Sequence, residues 1–230
     1  MTAVRENWPQ DAQGSVHADV APSPWLFAYA AVAIALFAGF RALGADDIFY
    51  AVTKEAGPIE VASAVLWGLA AVTVLSLSSY AQLAYRWPIV VGFSLFAARE
   101  LDWDKAFLSE GILQLRLYSG DAPMGEKLIG AAVIALILTV LWKLARQMPL
   151  MWTALWSERA AWAWMVVGTL GLGVVAKTID GIGRKMAEFG VTLSPETVAG
   201  FSVAEELMEL VFVVGMIAAV CMFEARSRRV

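Results

Sequence analysis

"FSVAEELMELVFVVGMIAAVCMF", residues 201–223, is the stretch that decides the fold class. From Leu210 to Phe223 it carries no charge, yet three glutamates, Glu205, Glu206 and Glu209, stand at its start. A helix needs roughly 20 mostly apolar residues to cross a hydrocarbon core of about 30 Å. Segment 201–223 meets that length. Further apolar runs at 25–43, 60–82, 87–107, 128–147 and 160–179 bring the expected number of spans to six. The third becomes long enough only by continuing into "RELDWDKAF" (99–107).

Composition agrees with this reading. The chain is 60% hydrophobic and 17% charged, against about 45–50% and about 25% in soluble domains. The expectation is an all-α, polytopic transmembrane helical bundle occupying 25–224, with no attached soluble domain. Residues 1–24 are polar and mixed in charge, without the basic start or small-residue cleavage site of a signal peptide. They are expected to form a cytoplasmic tail, and the basic 225–230 a second one. Cys221 is the only cysteine, so no intrachain disulfide and no cysteine-rich metal site is possible.

Six spans put both termini on one face, together with the short 82–87 and 147–160 connections. Assigning charges to the nearer face leaves sixteen of the 21 acidic side chains on the opposite one. The "RSRR" end and the "KLAR" connection fit cytoplasmic anchors, so the acid-rich face is expected to point outward from a bacterial inner membrane. Glu60 opens the second span there. Arg99, Glu100, Asp102 and Asp104 close the third, Lys177 and Asp180 close the fifth, and Glu205, Glu206 and Glu209 open the sixth. Alternating helix direction makes them converge.

Two of these carboxylates are deep. At 1.5 Å per residue, Glu209 lies roughly 21 Å from Phe223 and Glu100 roughly 20 Å from Trp87. In a core about 30 Å thick, both sit well below the outer edge, where a carboxylate faces a partner or a wet cavity. Glu205 and Glu209 are four residues apart, and like charges in that register repel. Either one is protonated, or a cation stands between them. Glu100 and Glu209 are thus the candidate acid–base groups, and Arg99, Lys177, Asp180 and Glu60 candidate ligand-binding groups. Glu100, Glu209 and Glu205 form a candidate metal set. The bland alternatives are an internal salt bridge from Arg99 or Lys177, an exposed first helical turn for Glu205 and Glu206, and a plain Asp180–Arg184 surface pair.

The connection from Leu101 to Lys127 is long for a bundle, where about 2–8 residues is usual. Its interspersed apolar and charged residues suggest an interfacial or re-entrant segment over the acidic mouth, either a lid or a lipid-facing skirt. The tryptophans at run boundaries, such as Trp87, Trp142, Trp152 and Trp156, suit interface anchoring. "GTLGLG" (168–173) spaces small residues for close helix contact.

The only histidine, His17, lies in the tail, which excludes histidine-ligated haem, a histidine-bearing zinc site and a serine–histidine hydrolase from the bundle. An all-oxygen metal site would favour calcium, magnesium or manganese over zinc. Nothing suggests nucleic-acid binding; the expected partners are the lipid bilayer and another membrane protein.

"AGPIEVASAVLWGLA" (56–70), "ARELDWDKAF" (98–107) with "GILQLRLY" (111–118), and "EELMEL" (205–210) together resemble uncharacterised bacterial multi-spanning inner-membrane proteins. That resemblance implies a helical bundle and carries no activity. Three functional classes stand: an outward-facing carboxylate pocket binding a cation or lipid head group, with hydrolysis as one use; an accessory or assembly subunit; and a small transporter. The last is weakened because Glu60 and Asp180 share a face, whereas inverted repeats would separate them.

Overall fold

The computed structural model describes residues 58–227, and among these it is all-helical. The tail 1–24, the first apolar run 25–43 and the last residues of 225–230 lie outside the described residues. Five long helices carry the bundle: α1 (Pro58–Leu77), α2 (Tyr80–Glu100), α5 (Met124–Ala145), α7 (Ala161–Ile179) and α9 (Pro195–Ser227). Four short ones decorate its ends: α3 (Trp103–Phe107), α4 (Leu115–Ser119), α6 (Met148–Trp156) and α8 (Ile182–Glu188). α1, α5, α7 and α9 are long and apolar enough to cross a membrane. α2 has the length, but Arg86, Arg99 and Glu100 make it less apolar.

Helix ends depart from the apolar runs where local chemistry intervenes. The run 60–82 is cut at Leu77, because Ser79 caps α2: Gln82 N–H donates to the Ser79 hydroxyl, and Ser79 N–H donates to the Gln82 side chain at 2.9 Å. This reciprocal box satisfies two donors that a helix start otherwise leaves open. The run 87–107 is cut at Glu100, where Asp102 turns into the left-handed region at φ 46° before α3 begins. At the other end of the sequence α9 exceeds its expected 201–223 in both directions. Its 33 residues span roughly 50 Å, with the Ser194 hydroxyl accepting from Thr197 N–H at its start.

α9 packs along α7 and α1, α1 along α2, and α2 along α5, so the long helices fan in the order α5–α2–α1–α9–α7. α2 and α7, on either side of the α1–α9 pair, make no extended contact with one another. At the centre Trp67 is 1% exposed. Its ring stacks on Phe96 at 4.7 Å and meets Phe212 edge-on at 5.0 Å, with Phe93 at 5.4 Å. Buried Ala70, Ala71, Val74 and Val213 complete this core. Of the glycines in "GTLGLG", Gly173 alone makes a close approach: a methyl group there would stand 3.1 Å from the Phe212 ring. α6, which sequence inspection passes over as a connection, packs Ala154 and Leu155 against Ala160 and Ala163 at the start of α7.

The opposite end of the bundle from the glutamates is closed by pairs that join distant segments. Arg86 on α2 binds Glu224 on α9; Glu224 is buried and Arg86 largely so. The same guanidinium donates to the Ser78 hydroxyl at 3.0 Å and lies 5.3 Å from the centre of the Phe223 ring. Arg226 reaches Glu158 at 3.0 Å.

Candidate functional site

At the other end, helix direction does what the sequence led us to expect. α1 and α9 start there, α2 and α7 finish there, and their charged residues line one outer pocket of about 230 Å³. Glu60 comes from α1, Arg99 and Glu100 from the last turn of α2, and Lys177 from the last turn of α7. Asp180 follows directly, and Glu205, Glu206 and Glu209 come from α9. Asp102 and Lys105, which pair at 2.8 Å, complete the rim.

The pairing is specific. The Lys177 ammonium touches Glu205 at 3.2 Å, Glu209 at 3.0 Å and Asp180 at 3.1 Å. It therefore stands between the two glutamates that share a helix face, and it relieves the repulsion their spacing would otherwise impose. Arg99 bonds Glu209 at 2.8 Å and reaches Glu100 at 3.4 Å. Glu100 is 7% exposed; a carboxylate so placed needs a cation nearby to offset lost hydration. Glu206 is half-buried and makes no hydrogen bond or ion pair with any described residue.

Beneath this pocket lies a second cavity of about 390 Å³, within the size range of small-molecule sites. Arg99, Glu100, Lys177 and Glu209 belong to both and form the neck between them. Below the neck the walls are apolar: Trp67, Phe96, Phe212 and, on α7, Leu170 and Val174. The cavity lies between α2 and α7, which make no extended contact with one another.

Three expectations need correction. Glu205 and Glu206 are not in a first helical turn: α9 starts ten residues earlier at Pro195, so backbone amides at its start do not reach them. Asp180 pairs with Lys177, not Arg184, because Gly181 at φ 62° ends the helical register between them. The long connection does not cover the mouth as a whole. Only its first turn reaches the pocket; further on, Ser109 bonds Glu126 through both N–H and hydroxyl, and Leu117 and Tyr118 pack on Gly130, all on α5.

Sequence inspection also missed the device that fixes Lys177. Lys185 on α8 donates to the carbonyls of Lys177 and Thr178 at 3.2 and 3.1 Å, capping the end of α7. Lysine near a helix C-terminus is the available signal.

No family model, curated protein or solved structure matches this chain. Function is therefore argued from the geometry alone. The candidate metal set, Glu100, Glu205 and Glu209, is gathered into one pocket, but each of the three carboxylates already contacts Arg99 or Lys177. Among the described residues no three His, Cys, Asp or Glu side chains are placed to hold a metal ion.

If Lys177 is the shared counter-ion, its loss and the loss of Glu209 are coupled. Lys177→Gln is expected to cost about 1 kcal/mol, the upper end for a part-exposed pair. Lys177→Gln with Glu209→Gln should cost less than the two single changes added together. Thermal melts of the four proteins in one detergent check this; strictly additive losses would show that the contact contributes no stability.

Proposed function

We propose that this chain is a six-span bacterial inner-membrane protein, with both termini cytoplasmic, whose outward-facing acidic mouth binds a cation or the cationic part of a lipid head group. The span count adds 25–43 and α2 to the four apolar helices; the orientation rests on the basic ends described above. The observation that carries the binding reading is Glu206, half-buried in the outer pocket among neighbouring carboxylates and without a hydrogen bond or ion pair to any described residue. A carboxylate so placed favours an incoming positive charge. Binding is better supported than hydrolysis, because Glu100 and Glu209 are both tied to Arg99 and neither is placed as a free acid–base group.

The test is equilibrium dialysis of nanodisc-reconstituted protein against calcium and, separately, ethanolamine, with elemental analysis of the purified protein alongside. Saturable binding of one of them is expected, weakened at least fivefold in Glu206→Gln. Stoichiometric divalent metal that drops in both Glu100→Gln and Glu209→Gln would identify the cation as a metal. Absence of metal together with binding of neither probe would overturn the reading.

One observation favours an accessory or assembly role as a second reading. α5 has 11% of its apolar stretch buried, and Leu128, Ile129, Leu138 and Leu141 are exposed along it. A neighbouring membrane protein would cover that face as well as lipid does.

A further inference from the structure

The end of the bundle away from the acidic mouth has a charge pattern of its own. Gln147, at the close of α5, donates to the Tyr85 carbonyl beside Arg86, so α5 ends at the level of the Arg86–Glu224 pair. Among the described residues this end holds two carboxylates, and both are taken: Glu224 by Arg86 and Glu158 by Arg226. Three further cations, Lys143, Arg146 and Arg159, make no ion pair or side-chain hydrogen bond with any described residue. Lys143 and Arg146 instead lie over one ring, that of Trp142, at 5.4 and 5.2 Å from its centre. An aromatic face holds a cation without neutralising it.

α6 joins these basic groups. Lys143 and Arg146 stand just before it and Arg159 just after it, and its nine residues cover roughly 13 Å. One side of α6, Ala154 and Leu155, is buried against the start of α7. The other side presents Met148, Trp152 and Trp156, each at least 55% exposed. A helix that is apolar on its outward side as well as its inward one needs an apolar surface to lie against. The outward side runs on into the exposed side of α7, because the Trp156 ring meets Trp152 at 5.7 Å and Trp164 of α7 at 5.5 Å. The joint itself is fixed. Arg159 turns through φ 47°, and Ala160 N–H donates to the Ala154 carbonyl at 2.8 Å, folding α6 back on α7.

We propose that α6 lies in the head-group layer of the bilayer and binds anionic phospholipids, with Lys143 and Arg146 at one end and Arg159 at the other. Indole rings settle at that level of a membrane, and basic side chains beside them meet anionic head groups. Cations at both ends of one helix suit a sheet of head groups, whereas a single acidic segment of a protein would leave the apolar side of α6 uncovered. The proposal is independent of the acidic mouth.

The experiment is native mass spectrometry of the full chain in detergent, titrated separately with dioleoyl-phosphatidylglycerol and dioleoyl-phosphatidylcholine. The two probes share their chains and differ in charge. Each basic side chain near an anionic surface contributes about fivefold in affinity, so phosphatidylglycerol is expected to bind at least about tenfold more tightly. Arg159→Gly should cut that affinity by about fivefold, and it folds, because glycine adopts φ 47° without strain. Lys143→Gln with Arg146→Gln should cut it further, and phosphatidylcholine should be unaffected by either change. Arg184→Gln, which removes an exposed arginine at the acidic end, should keep the preference intact. Trp152→Gln with Trp156→Gln should weaken both lipids alike. Equal binding of the two lipids by the parent, or a preference unchanged in both charge variants, would overturn the proposal. An equal loss in Arg184→Gln would overturn it as well, since only net charge would then be read.

Discussion

Glu224→Ala is expected to destabilise the protein by about 3–5 kcal/mol, the cost of leaving a buried partner charge uncompensated. Arg86, the partner, has 14% of its side chain exposed and sits between Ser78 and the Phe223 ring. It cannot swing into water without giving up both. The informative comparison is the double replacement. Arg86→Met with Glu224→Met removes both charges, keeps most of the volume, and should lose much less than Glu224→Ala alone, since apolar substitutes for a buried pair are often neutral. Denaturant-induced unfolding in a single detergent, followed by helix content, separates the cases. A double variant as unstable as the single one would mean that the pair contributes through shape rather than charge.

Trp67→Ala should be comparably damaging, about 3–5 kcal/mol, by a different route. In a bilayer the partner of an apolar side chain is lipid or protein, and the gain from packing is dispersion more than expulsion of water. Trp67 touches Phe93, Phe96 and Phe212, which come from two other helices, so its removal opens a void where α1, α2 and α9 meet. Phe212 also presses on Gly173, linking α7 to the same contact. Trp67→Phe should recover more than half of the loss, because stacking on Phe96 survives. If Trp67→Ala melts within about 1 kcal/mol of the parent, the aromatic cluster is not the core of the fold.

How far these features were legible in the sequence depends on their range. The gathering of Glu60, Glu100, Lys177 and Glu209 at one end follows from hydropathy and alternation of direction alone. Even the repulsion between Glu205 and Glu209, which calls for protonation of one or a cation between them, is visible from their spacing. Which cation answers it is not, because that depends on α7 lying against α9. Arg86 and Glu224, 138 positions apart, are invisible for the same reason. Other misses were local and avoidable. Ser79 and Gln82 spell a capping box that ends one helix and begins the next, and Gly181 forbids the four-residue spacing of Asp180 and Arg184. α6 escaped because nine mostly apolar residues are too few to span, and hydropathy alone does not distinguish a short surface helix from a linker.

The uninterrupted length of α9 has a mechanical meaning. Its Glu209 is held by Arg99 on α2, and its Glu224, about 22 Å further along, by Arg86 on the same helix. Two clasps on one pair of rods forbid sliding and fix their relative rotation, since a shift that re-seats one clasp unseats the other. α9 and α2 thus form a rigid frame around α1. α7 is tied to this frame at both ends, by Lys177 at the acidic end and at the far end by Trp162, whose ring meets Phe223 edge-on at 5.0 Å, with Glu158 of the preceding turn pairing Arg226. A piston stroke of the longest helix past α2 is therefore barred by two clasps fifteen residues apart on α9.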